Sequence, residues 1–263
     1  MFQNILLPLD GSHFSELALP LAIQVAHNSG AHLHIVRVHV PQVAEAGACV
    51  PTNYDQLLRD WEGDALEVAL TRAQHARANA TTEMLDGPVV PALLQYIKAK
   101  RIDLIIMTTH GRSGIRRAVL GSTAEECVRR TTLPMLLLRP REITEAVTSK
   151  VSQVRRILVA LDGTDESEAV LPHAITLARM ADADMVLARI AVAPFEVAVT
   201  IGAESLRAYV NQLREQAEEY LTSIAAQVPS AIPVRCITIS DDRAADGILK
   251  LACTEEADLI AMA

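Results

Sequence analysis

Aromatic residues are scarce: three Phe, four Tyr and one Trp in 263 residues. The apolar half of the composition is therefore mostly Ala, Leu, Val and Ile. Such a mixture suits parallel sheets covered by Ala-rich helices. Cysteine is sparse too, and Cys49, Cys127, Cys236 and Cys253 form no CxxC pair. Isolated thiols fit a reducing cytosol better than a disulfide-bonded secreted scaffold. No run of about 18 apolar residues exists, so no membrane span is expected. The start, Met1-Phe2-Gln3-Asn4, has no basic segment, and Asp10 interrupts the first apolar run. No signal peptide is expected from it. A basic excess is also missing. The formal charge is −8, which argues against general nucleic-acid or anionic-membrane binding. Residues 1–142 hold 14 Lys+Arg and 14 Asp+Glu, leaving 10 and 18 for the rest. A polyanionic ligand would settle more easily in the first part.

What the chain does have is a repeat. Ile5-Leu6-Leu7-Pro8-Leu9-Asp10-Gly11-Ser12 returns as Ile157-Leu158-Val159-Ala160-Leu161-Asp162-Gly163-Thr164, 152 residues later. From Ile5 to Pro20 nine of sixteen positions are identical in the second copy. Asp103-Leu104-Ile105-Ile106-Met107 returns as Asp258-Leu259-Ile260-Ala261-Met262. A duplicated domain explains this, and its period is too long for a solenoid. The expected division is a first domain over 1–142, a polar linker over 143–154 and a second domain over 155–263. The second copy stops one residue after Met262, so it is expected to be incomplete, without a glycine loop or a last strand.

Within copy one, strand and helix patterns alternate. Asn4–Leu9 is a short apolar run ended by Asp-Gly, hence a buried strand. Ser15 to Asn28 reads as one helix, with Leu17, Leu21 and Val25 on one face. Pro20 then falls inside its early turns and should bend it or remove a hydrogen bond. His32–Val40 is a second strand, Asp55–Arg77 a long helix, Thr81–Leu85 a weak strand and Val90–Lys100 a helix. Leu104–Thr108 is a strand, Ser122–Arg130 a helix and Met135–Leu138 a last strand. Alternation of this kind gives a doubly wound α/β fold with a parallel sheet. Ligands in such folds sit beyond the carboxyl ends of the strands.

The segment from Met107 to Thr123 carries the most chemistry. Gly111 and Gly114 allow unusual backbone angles in a loop leaving a strand. Gly121-Ser122-Thr123 opens a helix, whose free amides and dipole favour an anion. Arg112, Arg116 and Arg117 add positive charge. One reading is a phosphate site. The other is a plain strand-to-helix connection with a solvated basic face. Asp10 likewise has two readings, a ligand contact or a turn that caps the next helix. His32 and His34 share a strand face, as a metal pair or as packing residues. His110 either touches phosphate or holds its loop. Ser15 reads as a helix-start residue rather than a nucleophile. No P-loop and no Gly-x-Gly-x-x-Gly fingerprint is present.

In combination these motifs resemble the universal stress protein family. Its nucleotide signature, Gly-x2-Gly-x9-Gly-(Ser/Thr), is matched in its latter part by Gly111, nine residues, then Gly121-Ser122. The first glycine of the signature would fall at Thr108, a departure that either crowds the sugar or adds a hydroxyl contact. The resemblance implies five-stranded parallel sheets of order 3-2-1-4-5 in both copies, the second truncated. It implies ATP or another adenine nucleotide in the first domain, where Mg²⁺ would come with the phosphates. Asp10 would bond the ribose, Pro8 and Leu9 would line the adenine pocket, and Val38 would offer backbone groups to the base. Met107 and Thr108 would lie by the ribose, with Gly111, Arg112, Gly121, Ser122 and Thr123 around the phosphates. The second copy is expected not to hold nucleotide in this way. The resemblance also implies a cytoplasmic stress-response regulator rather than an efficient enzyme. Two rival readings are a slow ATPase or self-phosphorylating enzyme using Ser122 or Thr123, and an interaction protein that has lost nucleotide binding at Thr108. Pro134–Leu138, an apolar edge strand, would pair with a second copy or with the other domain.

Overall fold

The structure, a computed structural model, describes residues 2–41, 53–109, 121–139, 154–192 and 203–263. The chain forms two compact units, residues 1–152 and 153–263. The 143–153 part of the expected linker lies outside the described residues.

Unit 1 runs β1 (Asn4–Pro8), α1 (His13–Glu16), α2 (Leu19–Ser29), β2 (His32–His39), α3 (Tyr54–His75), β3 (Asn79–Asp86), α4 (Val89–Lys100), β4 (Leu104–Thr108), α5 (Ser122–Arg130) and β5 (Met135–Leu138). Its five strands are parallel in the order β3-β2-β1-β4-β5. Unit 2 runs β6 (Arg156–Ala160), α6 (Asp165–Glu168), α7 (Leu171–Ala181), β7 (Asp184–Ala191), α8 (Ala203–Ala225), β8 (Val234–Ser240), α9 (Ala244–Thr254) and β9 (Leu259–Ala261). Its described strands form a four-stranded parallel sheet, β8-β7-β6-β9. The doubly wound architecture and the 3-2-1-4-5 order are therefore present, the order complete in unit 1.

The central strands are apolar because both faces are covered. All five residues of β4 are buried. Strand alternation divides the side chains between the faces. Leu6, Val36, Ile105 and Met107 pack with Val90, Leu93 and Ile97 of α4 and with Ala124 and Cys127 of α5. α3 covers β2 and β3 on the other side of the sheet. Its buried residues are Glu62, Leu66, Ala69 and Ala73. Among the described residues no helix is long and apolar enough to cross a membrane.

Two expectations need correction. The stretch Ser15–Asn28 is not one helix. α1 ends at Glu16, and a new helix begins at Leu19 with Pro20 in its first turn. There the missing N–H costs nothing, since the first amides of a helix have no internal partner. The same break precedes Pro172 in unit 2. The weak third strand is longer than its apolar content suggests, spanning eight residues paired with β2 throughout. It is an edge strand, half exposed, so polar residues serve it.

Candidate functional site

The turn after β1 is built by its own side chains. Asp10 Oδ1 accepts from the Ser12 N–H at 2.8 Å, and Ser12 Oγ accepts from the Ser15 N–H at 3.1 Å, capping α1. Ser15 Oγ donates to the Ser12 carbonyl and accepts from the Asp10 N–H. Gly11 has φ +76°, which suits the residue without a Cβ. The turn role of Asp10 is thus present, the cap itself being Ser12, and Ser15 is held in the turn.

The second wall is the step from β4 to α5. Thr109 accepts a hydrogen bond from the Gly121 N–H at 2.6 Å. Gly121 is the N-cap of α5 and supplies no side-chain acceptor. The first amides of α5 therefore have no capping side chain, and their dipole favours an anion in front of them.

These two walls meet around a cavity of about 350 Å³, the size range of small-molecule sites. Pro8, Leu9 and Asp10 line it from β1, and Val38 from β2. Met107 and Thr108 line it from β4, and Gly121, Ser122 and Thr123 from α5. It lies past the carboxyl ends of the strands where β1 joins β2 on one side and β4 on the other, the switch point of a doubly wound sheet. Gly111 and Arg112, with His110, Arg116 and Arg117, lie outside the described residues. Thr108 is itself buried, and the cavity persists beside it.

Other lining residues lie outside the sequence motifs. Val89 and Leu93 of α4 and Leu58 of α3 make that wall apolar, with Val40 beyond β2. Glu62 of α3 also lines it, and is 2% exposed. Arg37 Nη2 donates to Glu62 Oε1 at 2.9 Å, and His39 Nδ1 lies 2.7 Å from Glu62 Oε2. His39 Nε2 in turn lies 3.0 Å from Asp55 Oδ1. A signal for Glu62 existed: it shares the helical register of Leu66, Ala69 and Ala73, so it is a charge on an apolar stripe.

The remaining candidates sit elsewhere. His34 Nδ1 meets the Tyr96 hydroxyl at 3.1 Å, His32 Nε2 meets Thr81 Oγ1 at 2.8 Å, and the two rings lie 4.5 Å apart. Burial, helped by the nearby His32 and Lys100, pushes the His34 pKa down to about 4. Among the described residues no group of three His, Cys, Asp or Glu converges on a metal position. The Cys127 thiol is buried in α5, and burial pushes its pKa up. β5 lies at the sheet edge with Leu136 buried and its neighbours half-buried.

Comparison with known proteins agrees with this architecture. The profile of the universal stress protein family matches residues 1–139 and again 153–263. A universal stress protein of Thermus aquaticus is 32% identical over 148 residues, covering 53% of this chain and 100% of that protein. One from Methanocaldococcus jannaschii is 28% identical over 142 residues, covering 53% of this chain and 83% of its own. A solved universal stress protein from Archaeoglobus fulgidus shares the fold across 98% of this chain and 85% of that one, with TM-score 0.68 at 18% identity. With both of its repeats matched, the chain belongs to the universal stress protein family.

Proposed function

We propose that unit 1 binds ATP or a related adenine nucleotide and that the protein acts as a nucleotide-dependent regulator of the stress response. One observation carries this: the Asp10 carboxylate and the uncapped start of α5 face the same cavity of about 350 Å³. The cavity's chemistry supports a nucleotide, with apolar walls for a base, a carboxylate for sugar hydroxyls and helix amides for phosphates. Asp10 would accept from the ribose. The backbone near Val38 would meet the base edge, with Pro8 and Leu9 against its face. Met107 and Thr108 would flank the sugar. Gly121, Ser122 and Thr123 would hold the phosphates together with Gly111 and Arg112, and Mg²⁺ would enter with them. Occupancy would act by ordering the approaches to the cavity and altering the surface that partners meet. A cytoplasmic setting accords with the free thiols Cys127, Cys236 and Cys253. Pairing with a second copy would use the edge strand Pro134–Leu138.

Calorimetric titration of the full chain with Mg·ATP tests the reading. Gly121→Val should weaken binding about tenfold or more, equivalent to ~1.4 kcal/mol, by adding bulk at the mouth of α5 while the sheet stays folded. No heat from the native chain at millimolar Mg·ATP, or an unchanged affinity in Gly121→Val, would overturn it. Phosphate release that scales with protein and stops in Asp10→Ala would move the reading toward slow hydrolysis.

A further inference from the structure

Arg37 lies in the middle of a buried strand, where a charge needs a reason. It is 2% exposed. Its neighbours Val36 and Val38 pack toward α4 and α5, so alternation sends Arg37 and His39 toward α3. There Arg37 meets Glu62, and Glu62 meets His39. Arg37 Cζ also lies 5.0 Å from the Trp61 ring centroid, within reach of a cation–π contact. On its other side the guanidinium packs against the Asp10–Gly11 turn. A Cβ built on Gly11 would lie 2.8 Å from Arg37 Cζ, closer than real side chains approach. One planar group thus touches the turn that carries Asp10 and the helix that carries Glu62. Both of those carboxylates line the cavity.

A buried ion pair is a poor source of stability, because desolvation offsets much of the Coulomb gain. What it supplies is fixed geometry. Resting on the nucleotide reading above, we propose that Arg37 is a positioning residue that locks the Asp10–Gly11 turn to α3 and so holds two walls of the cavity in register. The matching arginine of unit 2 lacks this arrangement. Arg189 lies near Gly163 and over the Tyr220 ring, at 5.0 Å from its centroid, with no ion pair among the described residues. In unit 2 the contact to the long helix runs instead through Tyr220, whose hydroxyl donates to Glu168 Oε1 at 2.9 Å.

The test uses the full chain with Arg37→Met, Arg37→Met/Glu62→Leu and Arg37→Lys. Removing Arg37 alone takes the guanidinium from the buried Glu62 carboxylate and leaves His39 beside it, so its melting temperature should fall. The double variant leaves no charge stranded at that pair and should recover most of that loss. Two further readouts are hydrogen exchange of the amides in residues 10–15 and calorimetric affinity for Mg·ATP. In the double variant the exchange should remain faster than in the native chain, and affinity should stay about tenfold or more weaker. Arg37→Lys keeps the buried charge pair but loses the flat fork. It should fold and show the same two defects in weaker form. Native exchange at the turn in either variant would overturn the proposal and make Arg37 a stability residue only. A native chain that binds no Mg·ATP would overturn the nucleotide reading alone, since exchange at the turn decides this one independently. Trp61, the sole tryptophan, gives a parallel readout: its emission should shift with Mg·ATP in the native chain and not in the double variant.

Discussion

The Asp-Gly turns of the two units are built alike. Ser12 N–H reaches Asp10 Oδ1 at 2.8 Å, and Thr164 N–H reaches Asp162 Oδ1 at 2.9 Å. Ser15 N–H and Ser167 N–H reach their capping hydroxyls at 3.1 and 3.2 Å. Thr164 adds a hydroxyl bond to Asp162, and these bonds push the Asp162 pKa down. The repeated carboxylate is therefore first a folding device: it ends a strand and starts a helix. Asp10 does not by itself mark a ligand site. What differs in unit 1 among the described residues is a buried arginine pinned by a carboxylate.

The sharpest challenge to that contrast is alanine at the two turn glycines. Gly11 and Gly163 both have positive φ, +76° and +95°, which costs a side chain about 1–2 kcal/mol. Gly11→Ala also collides with a buried, ion-paired guanidinium, whereas Arg189 is only half-buried and can retreat. We expect ~3 kcal/mol lost in unit 1 and ~1–2 kcal/mol in unit 2, read by segment-resolved hydrogen exchange on the full chain. Equal losses would mean that Arg37 is no more fixed than Arg189.

A smaller difference concerns acid. His34 in β2 corresponds, at the repeat offset, to Val186 in β7. With the His34 pKa pushed down from 6.5 to about 4, the unfolded chain binds more protons than the folded one between these values. Stability from this group is full above pH ~6.5 and is lost as pH falls toward 4, by roughly 3 kcal/mol. His34→Val should flatten that limb for unit 1 and leave unit 2 alone. An unaltered acid slope in urea titrations would show that His34 does not carry it.

The smallest effect expected is at the paired prolines. Pro20→Ala and Pro172→Ala should each change stability by under ~1 kcal/mol, because both prolines occupy a first helical turn. A gain of ~3 kcal/mol would instead signal a proline strained inside a helix.

Much of the fold was legible because its signals are local. The apolar runs 5–7 and 104–107 are buried on both faces, and an all-apolar pattern reports that directly. The split between α1 and α2 was not legible. Leu17, Leu21 and Val25 keep a helical spacing across it, so periodicity alone reads one helix. The polar edge strand β3 was underread for the opposite reason, since half of its side chains meet solvent. At the candidate site, residues on strand ends and at the start of α5 could be named from the family resemblance, since Asp and Ser there also serve as turn and cap residues. Leu58 and Glu62 could not be assigned to a cavity. They arrive from a helix packed across the sheet, and only the tertiary fold brings them to Asp10.

The Gly121 N–H to Thr109 carbonyl bond fastens the two ends of the intervening segment to one another like a latch. The bond joins main-chain atoms alone, so a change of side chain at Thr109 leaves the step from β4 to α5 in place.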